Sequence, residues 1–334
     1  MSTRRNPNAG APSHPDVVGG CSSITTEALP GTAKQARVVI ALEYFTNWGH
    51  DILDGEALGK ELAGKIKKFL KDNGAALHFI RKPGRDGQER VERPKRALYI
   101  AWADGRSGTS TEEPTDPMLE YMEVAGPESI LDLDLTTPGH TPGATVMNNP
   151  ILLVCTHGKR DTCCAVFGRP LVDKLAKIYP ANVWESSHTK GHRFAPSMIL
   201  LPSNYSYGRV TEDQGAALLD AAASGRLSLD ANRGRGVWDV IGQVAELAAA
   251  QYMVDAGEPV APAQLQVSKP EKTPEKASKK SEHAVRLVHD PRSGITYEVR
   301  LEKRHTGTAV SSCGDKPKDA YGWVAESVEP HASV

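Results

Sequence analysis

The hydrophobic and polar positions in the first half of the chain form two kinds of pattern. A continuous apolar run at residues 36–44 predicts a buried strand. Apolar residues at helical spacing over residues 57–71 predict an amphipathic helix that stops at Asn73-Gly74. The same patterns predict the other elements of this half: strands at residues 76–80, 97–103 and 130–135, and a short helix at residues 117–124. The first half is therefore expected to be an α/β unit.

A second unit with the same order of elements follows residues 136–150, a stretch rich in Thr, Pro, Gly and Asn. Its apolar patterns predict strands at residues 151–154, 182–186 and 198–201, and helices at residues 165–178, 211–223 and 236–250. Both halves run strand, loop, helix, strand, loop, strand, helix, although they share no obvious residues. This order predicts a duplicated α/β unit of the thioredoxin type.

Composition marks the borders of these units. Residues 1–20 have no apolar core and predict a disordered tail, and residues 258–282 are rich in Pro, Lys, Glu and Ser, as linkers are. Alternating residues at 283–289 and 295–302 flank Asp290-Pro-Arg-Ser-Gly294 and predict a β-hairpin. We therefore expect three folded parts: an N-terminal α/β domain at residues 21–140, a thioredoxin-like domain at residues 146–257, and a small β appendage at residues 283–334.

The bulk composition argues against several classes of partner. Hydrophobic residues make up 39% and charged residues 24% of the 334 residues, as in ordinary globular proteins. The 40 basic and 41 acidic residues nearly cancel, so we expect no general attraction to nucleic acid or to a membrane surface. No apolar run approaches the ~20 residues of a membrane helix. The N-terminus also has no apolar stretch of the kind that a secretory signal needs, which predicts a cytoplasmic protein.

Cysteine and histidine residues supply the candidate chemistry. The five cysteines are an odd number in a chain that is not small, which argues against a disulfide framework. Cys155 and Cys164 flank a loop between a predicted strand and a predicted helix, and His188 and His192 follow another predicted strand. Ligand sites in α/β sheets gather where strands end, so we expect these four side chains to meet. Thiolate and imidazole donors bind zinc, copper or iron–sulfur units.

The spacing of these donors favours a binuclear site over a single zinc ion. Zinc fingers usually place paired cysteines about two to four residues apart, whereas eight residues separate Cys155 from Cys164. Such a wide loop suits a cluster with two thiolates on one iron and two imidazoles on the other, which is the Rieske ligand set. Two alternatives stay open: a Cys2His2 zinc site, and a thiol oxidoreductase that uses Cys155 or Cys163-Cys164 without the usual C-x-x-C motif.

The residues around these donors resemble a known family. The stretches Val154-Cys-Thr-His-Gly-Lys-Arg-Asp-Thr-Cys-Cys164 and His188-Thr-Lys-Gly-His-Arg-Phe-Ala-Pro196 are similar to the sucrase/ferredoxin-like family, whose pattern reads C-G-H-x-x-R-D-x-x-C, then H-x-G-G-H-K-F-A. That family resembles thioredoxin-like [2Fe–2S] ferredoxins with a C-x-x-x-C pair, which is H-x-x-x-H here. The resemblance implies that Cys155, Cys164, His188 and His192 ligate a [2Fe–2S] cluster. Weaker similarities to the family extend the resemblance over most of the chain. They include Trp48-Gly-His-Asp51 and Arg233-Gly-Arg-Gly236.

The preferred hypothesis for the activity is one-electron transfer, by a redox protein rather than a demonstrated catalyst. Its partner would be a redox protein that the sequence does not identify. Neutral imidazoles raise the reduction potential, to about −150 to +300 mV in Rieske centres against roughly −400 mV in plant-type ferredoxins. Imidazoles also bind protons, so reduction is expected to be coupled to protonation.

Neighbouring residues are expected to support the cluster without binding it. Arg160 and Asp161 lie in the loop that must wrap the cluster, where an ion pair between them would fix the loop. His157 is expected to take a structural role in the same loop. The remaining cysteines receive no ligand role: Cys163 is interpreted as a bystander, Cys21 as a core residue, and Cys313 as a free thiol or a cover over the cluster.

Overall fold

The computed structural model describes residues 20–45, 47–84, 87, 94–268 and 282–331. Residues 1–19 of the tail expected at residues 1–20, and residues 269–281 of the linker expected at residues 258–282, lie outside these ranges. The described chain is a mixed α/β protein, as the apolar patterns predicted, with a ten-stranded mixed sheet and a four-stranded antiparallel sheet. Within the described ranges, no helix combines the length and the apolar character needed to cross a membrane.

The first half contributes these described elements: β1 (Val38–Glu43), α1 (Lys60–Asp72), β2 (Ala75–Arg81), β3 (Arg96–Trp102), β4 (Met118–Val124) and β5 (Thr145–Met147). Its strands lie in the order β2-β1-β3-β4-β5, with β1 and β2 parallel and each later strand antiparallel to its neighbour. Buried Ile66 and Leu70 of α1 pack with Ile40 and Leu42 of β1. The amphipathic helix that the apolar spacing predicted is therefore confirmed.

Two elements of this half differ from the prediction. Residues 117–124 were expected to form a helix, but they form β4, which pairs with β3 from Met118 opposite Trp102 to Val124 opposite Arg96. Residues 130–135 were expected to form a strand, but the chain there begins in a 3-10 helix, Pro127–Asp132. Short apolar runs fit either structure, so the neighbouring strand or helix decides between them.

The second half repeats the topology of the first. Its elements are β6 (Ile151–Cys155), α2 (Thr162–Ile178), β7 (Val183–Ser186), β8 (Ser197–Leu201), β9 (Tyr205–Gly208), α3 (Glu212–Ala223), β10 (Asn232–Arg235) and α4 (Val240–Asp255). The strands lie in the order β7-β6-β8-β9-β10, with β6 and β7 parallel and each later strand antiparallel to its neighbour. Strand order and direction thus match the first half position by position, as a duplicated unit would produce.

An antiparallel seam between β2 and β7 joins the two halves into one sheet. Ile80 lies opposite Ser186, and Arg81 lies opposite Glu185 with an ion pair of 2.7 Å between Nη2 and Oε2. On one face of the sheet, apolar side chains from both halves pack into a single cluster: Val39, Ala41, Ile80, Tyr99, Ala101 and Leu119 from the first half, and Ile151, Leu153, Trp184, Ile199 and Leu201 from the second. The halves therefore share part of their core.

The four-stranded sheet packs on α4. It consists of β11 (Gln266–Val267), β12 (His283–His289), β13 (Thr296–Ala309) and β14 (Lys318–Pro330), and it confirms the predicted hairpin. Val288 and Leu301 of this sheet join the core of the second half. Val260 and Leu265, inside the expected linker, are also buried in that core, so the packed chain continues well past residue 258.

Candidate metal centre

Strand β6 and helix α2 position the two cysteines that the resemblance assigns as ligands. β6 ends at Cys155, and α2 begins at Thr162, which places Cys164 in its first turn. Both side chains are fully buried. Gly168 makes this packing possible, because a Cβ atom there would lie 2.1 Å from the carbonyl oxygen of Cys155. The close approach of α2 to β6 therefore requires glycine at this position.

The loop after β7 brings the two histidines to the same place. The rings of His188 and His192 stack with their centroids 4.9 Å apart. One donor atom from each of Cys155, Cys164 and His188 lies within 4.8 Å of the others. Within the described chain, Nδ1 of His188 and Nδ1 of His192 are buried without a hydrogen-bond partner. Buried polar atoms are nearly always paired, so an unpaired nitrogen of His188 beside two buried thiols is consistent with a ligand site. The donor atoms of His192 lie outside that group of three, although its ring stacks on His188.

The ionisation states in this group suit metal binding. The neighbouring Cys164 thiol, together with His188, lowers the pKa of Cys155 well below its ordinary value. Contact with Cys155 and burial raise the pKa of Cys164. Burial lowers the pKa of His188, which keeps its imidazole neutral at pH 7. Thiolate and neutral imidazole are the forms that bind a metal. Metal binding to this group would therefore displace few protons other than the thiol proton of Cys164.

His157 lies between two loops, and both of its ring nitrogens are engaged. Nδ1 accepts the backbone N–H of His188 at 3.2 Å, and Nε2 donates to the carbonyl oxygen of Gly49 at 2.8 Å. Trp48 packs edge-on against the ring, with 5.7 Å between centroids. Since both nitrogens already have partners, His157 positions His188 rather than offering a donor atom. It also ties the histidine loop to the first half of the chain.

Arg233 is a supporting residue that sequence reasoning left without a role. Its fully buried guanidinium donates to the carbonyl oxygen of Lys190 at 3.2 Å, to Oγ of Ser197 at 3.2 Å and to Oγ1 of Thr32 at 3.0 Å. Gly191 makes room for it, because a Cβ atom there would lie 2.3 Å from Nη1 of Arg233. The guanidinium therefore fixes the loop between the two histidines. The Arg233-Gly-Arg-Gly236 motif was the signal that pointed to this residue.

The turn after β13 reaches the site at Ser311. Its carbonyl oxygen accepts a hydrogen bond from Nε2 of His192, which leaves Nδ1 of that ring available. Metal-bound histidines commonly donate their second N–H in this way. No local pattern indicates this contact, because the two partners are 119 positions apart in the chain.

Arg160 and Asp161 were expected to pair, but the described structure separates them. Arg160 lies against His50, with 3.1 Å between Nη1 and Nδ1. Asp161 is fully buried and caps α2, where its Oδ1 accepts the backbone N–H of Cys163 at 3.0 Å. The helix explains the difference, because an N-cap carboxylate turns towards the free N–H groups of the first turn.

A second buried group lies at the start of α2. It combines Asp161 with the three cysteines that received no ligand role: Cys21, Cys163 and Cys313. Their donor atoms all lie within 4.8 Å of one another. The sequence did not predict this group, because 292 residues separate Cys21 from Cys313.

Comparison with known proteins agrees with the resemblance drawn from the motifs. The family model of sucrase/ferredoxin-like proteins matches residues 29–234, more than half of the chain. The chain belongs to the sucrase/ferredoxin-like family. Searches of curated proteins and of solved structures found no significant match. In this sucrase/ferredoxin-like protein the family membership and the buried cysteine–aspartate group allow metal binding, and Cys21 and Cys313 lie outside the matched range.

Proposed function

We propose that this protein is a one-electron carrier with a [2Fe–2S] cluster ligated by Cys155, Cys164, His188 and His192. The observation that supports the proposal is the group formed by the two buried thiols and His188, with the ring of His192 stacked on His188. Nδ1 of each histidine is buried and has no hydrogen-bond partner in the described chain. This donor set fits thiolates on one iron and imidazoles on the other. When bound, such a cluster accepts and releases a single electron.

Three contacts hold the ligands in one orientation. His157 binds the backbone N–H of His188, Arg233 binds the carbonyl oxygen of Lys190, and the carbonyl oxygen of Ser311 binds the ring of His192. A partner of the second ring N–H, as Ser311 is for His192, fixes the tautomer and the ring orientation of a metal-bound histidine. The two backbone contacts fix the loop that carries the histidines. A site built in this way changes little in geometry when its charge changes, which favours rapid electron transfer.

The cation-rich surface beside His188 supports an acidic redox protein as the partner. Cys155 and Cys164 are fully buried, whereas the histidines are partly exposed, so electrons would pass through the histidine edge. A cavity of about 270 Å³ adjoins His188 and is lined by Lys34, Lys67, Lys190 and Asp51 among others. Excess positive charge at such an edge steers acidic partners towards it.

Protonation of the ligands provides one check of this function. Nε2 of His192 donates to the carbonyl oxygen of Ser311. Without that proton, Nε2 and the carbonyl oxygen would be two hydrogen-bond acceptors in contact. Since oxidation favours release of a ligand proton, the reduction potential should fall as the pH rises through the range in which the imidazoles titrate. Potentiometric titration at several pH values measures this slope. A potential that does not change with pH would contradict proton coupling.

Spectroscopy of the full chain tests the proposal directly. We expect the aerobically purified protein to be red-brown, with a paramagnetic resonance signal after reduction. His188→Cys and His192→Cys should each keep the cluster but shift both spectra, because a thiolate replaces an imidazole. His50→Cys, at an exposed histidine beside the site, is the matched control and should leave the spectra unchanged. Colourless protein that contains zinc, or unchanged spectra in both ligand variants, would contradict the assignment.

A further inference from the structure

The second buried group is built from three distant parts of the chain. Cys21 lies in a 3-10 turn, Cys21–Ser23, and Cys313 lies in the turn between β13 and β14. Asp161 and Cys163 form the N-terminus of α2. All four side chains are buried, with relative exposures from 0% to 4%. Four donor atoms that lie within 4.8 Å of one another in a closed site satisfy the basic requirement for holding one metal ion.

The distances between these donor atoms match a tetrahedral zinc site. With Zn–S near 2.3 Å and Zn–O near 2.0 Å, tetrahedral geometry places sulfurs about 3.8 Å apart and sulfur and oxygen about 3.5 Å apart. Sγ of Cys313 lies 3.3 Å from Sγ of Cys163 and 3.6 Å from Sγ of Cys21. Oδ1 of Asp161 lies 3.4 Å from Sγ of Cys21 and 3.2 Å from Sγ of Cys313. At these four pairs of atoms a zinc ion needs shifts of at most about 0.5 Å, and the remaining pairs lie within 4.8 Å.

The charge of the group also calls for a cation. The carboxylate of Asp161 accepts hydrogen bonds from the backbone N–H groups of Cys163 and Cys313 and from Oγ of Ser312, each at 3.0 Å. These partners in the described chain are neutral, with no lysine or arginine among them. Buried charge without a counter-ion is costly.

We propose that Cys21, Asp161, Cys163 and Cys313 form a second metal centre, which binds one zinc ion in a closed tetrahedral S3O site. Four protein ligands with no open position are typical of structural zinc sites. The ion would fasten the turn at Cys21 and the turn at Cys313 to the start of α2. That fastening would also hold the carbonyl oxygen of Ser311 against His192, two residues away from Cys313.

The two centres provide controls for each other, because adjacent residues of α2, Cys163 and Cys164, belong to different groups. Metal analysis of the purified full chain should find about one zinc ion per chain in addition to any iron. Cys313→Ser should lower the zinc affinity at least about tenfold in competition with a chelator, since loss of an outer partner alone costs about 10- to 100-fold in affinity. Cys155→Ser should keep the zinc. Failure of the electron-transfer proposal would leave this pattern unchanged.

Measurements on the wild-type protein test the proposal if Cys313→Ser does not fold. After chelation, cobalt added to the wild-type chain should give the ligand-field absorption of a tetrahedral thiolate site, and X-ray absorption at the zinc edge should show three sulfurs and one oxygen. The proposal is overturned by zinc that disappears in Cys155→Ser, by iron in place of zinc at this group, or by a Cys163–Cys313 disulfide in the native protein.

Discussion

The two halves of the ten-stranded sheet share strand order and strand direction, yet they differ in chemistry. β1 ends at Glu43, whereas β6 ends at Cys155. The loop after β1 contributes only support to the candidate centre: Trp48 packs on His157, and the carbonyl oxygen of Gly49 accepts its Nε2–H. The repeated architecture therefore supplies ligands from one half and anchoring groups from the other. A fold of this kind positions a site without determining which half carries the chemistry.

The largest expected effect separates the two strand ends. Cys155→Ser removes a buried thiolate from the candidate centre, so we expect complete loss of iron and of visible absorption. Glu43→Gln changes the equivalent end of β1, and this control should retain full iron content. Iron analysis and absorption spectra of the two purified variants make the comparison. Equal iron content in both would remove Cys155 from the ligand set.

Helices α1 and α2 differ in the space available beside one glycine of each helix. Gly168→Ala in α2 would place a Cβ atom 2.1 Å from the carbonyl oxygen of Cys155. We expect the free energy of unfolding to fall by about 3 kcal/mol, as in strongly overpacked cores. Gly64 in α1 has no atom within 4 Å of its Cβ position, so Gly64→Ala should raise the free energy by up to about 1 kcal/mol. Urea denaturation measures both, and changes of the same sign would contradict this difference.

A buried histidine of the first half should make stability depend on pH. Burial lowers the pKa of His78 in β2 to about 3, below the usual 6.5, with Lys34, His188 and Lys190 adding to the effect. The unfolded chain binds the proton first as the pH falls, so stability is lost between pH 6.5 and pH 3. Between pH 7 and pH 5 the expected loss is about 2 kcal/mol.

Substitution isolates this contribution to the pH dependence. His78→Leu should reduce the loss measured by urea denaturation between pH 7 and pH 5 by about 2 kcal/mol, while buried His188, whose pKa is also lowered, retains its own contribution. His305→Leu changes an exposed histidine of the four-stranded sheet and should leave the loss intact. The interpretation is contradicted if the free energy of unfolding of His78→Leu depends on pH as strongly as that of the wild type.

The smallest expected effect concerns the loop between the two histidines. Lys190 has a φ of 59°, a left-handed conformation that favours glycine. Lys190→Gly should therefore raise the free energy of unfolding by up to about 1 kcal/mol. Lys159→Gly, at an exposed lysine of the β6–α2 loop, should lower it slightly, because glycine there mainly adds freedom to the unfolded chain. Thermal denaturation compares the two, and stabilisation by Lys159→Gly alone would contradict the reasoning.

The sequence predicted those elements whose apolar pattern is long or unambiguous. The run at residues 36–44 became β1, and the helical spacing at residues 57–71 became α1 within a few residues. β10 had no such signal, because its four residues, Asn232–Arg235, are polar residues and glycine. Its buried Arg233 is paired with groups of distant segments. Only tertiary contacts stabilise such a strand, so local periodicity does not indicate it.

The candidate site was predictable to the extent that its donors lie in short motifs. Cys155 and Cys164 share one loop, and His188 and His192 share another, at two strand ends. The structure brings Cys155, Cys164 and His188 together there, and the ligand set itself stays a prediction. The contact of Ser311 with His192 and the group around Asp161 depend on how the C-terminal hairpin folds back. Residues so far apart in the chain leave no local sequence pattern that would indicate their contact. Such contacts follow only from the complete fold.

The contact between Ser311 and His192 also has a consequence in time. Ser311 is made 119 residues after His192, which is about 6 to 24 s later at about 5–20 residues per second. During that interval the emerging chain already contains both pairs of candidate ligands but lacks the group that orients the second ring. Iron delivered to a nascent chain would meet an unfinished site. A metal that needs the complete candidate centre is therefore expected to bind only after Ser311 has been made and folded back onto His192.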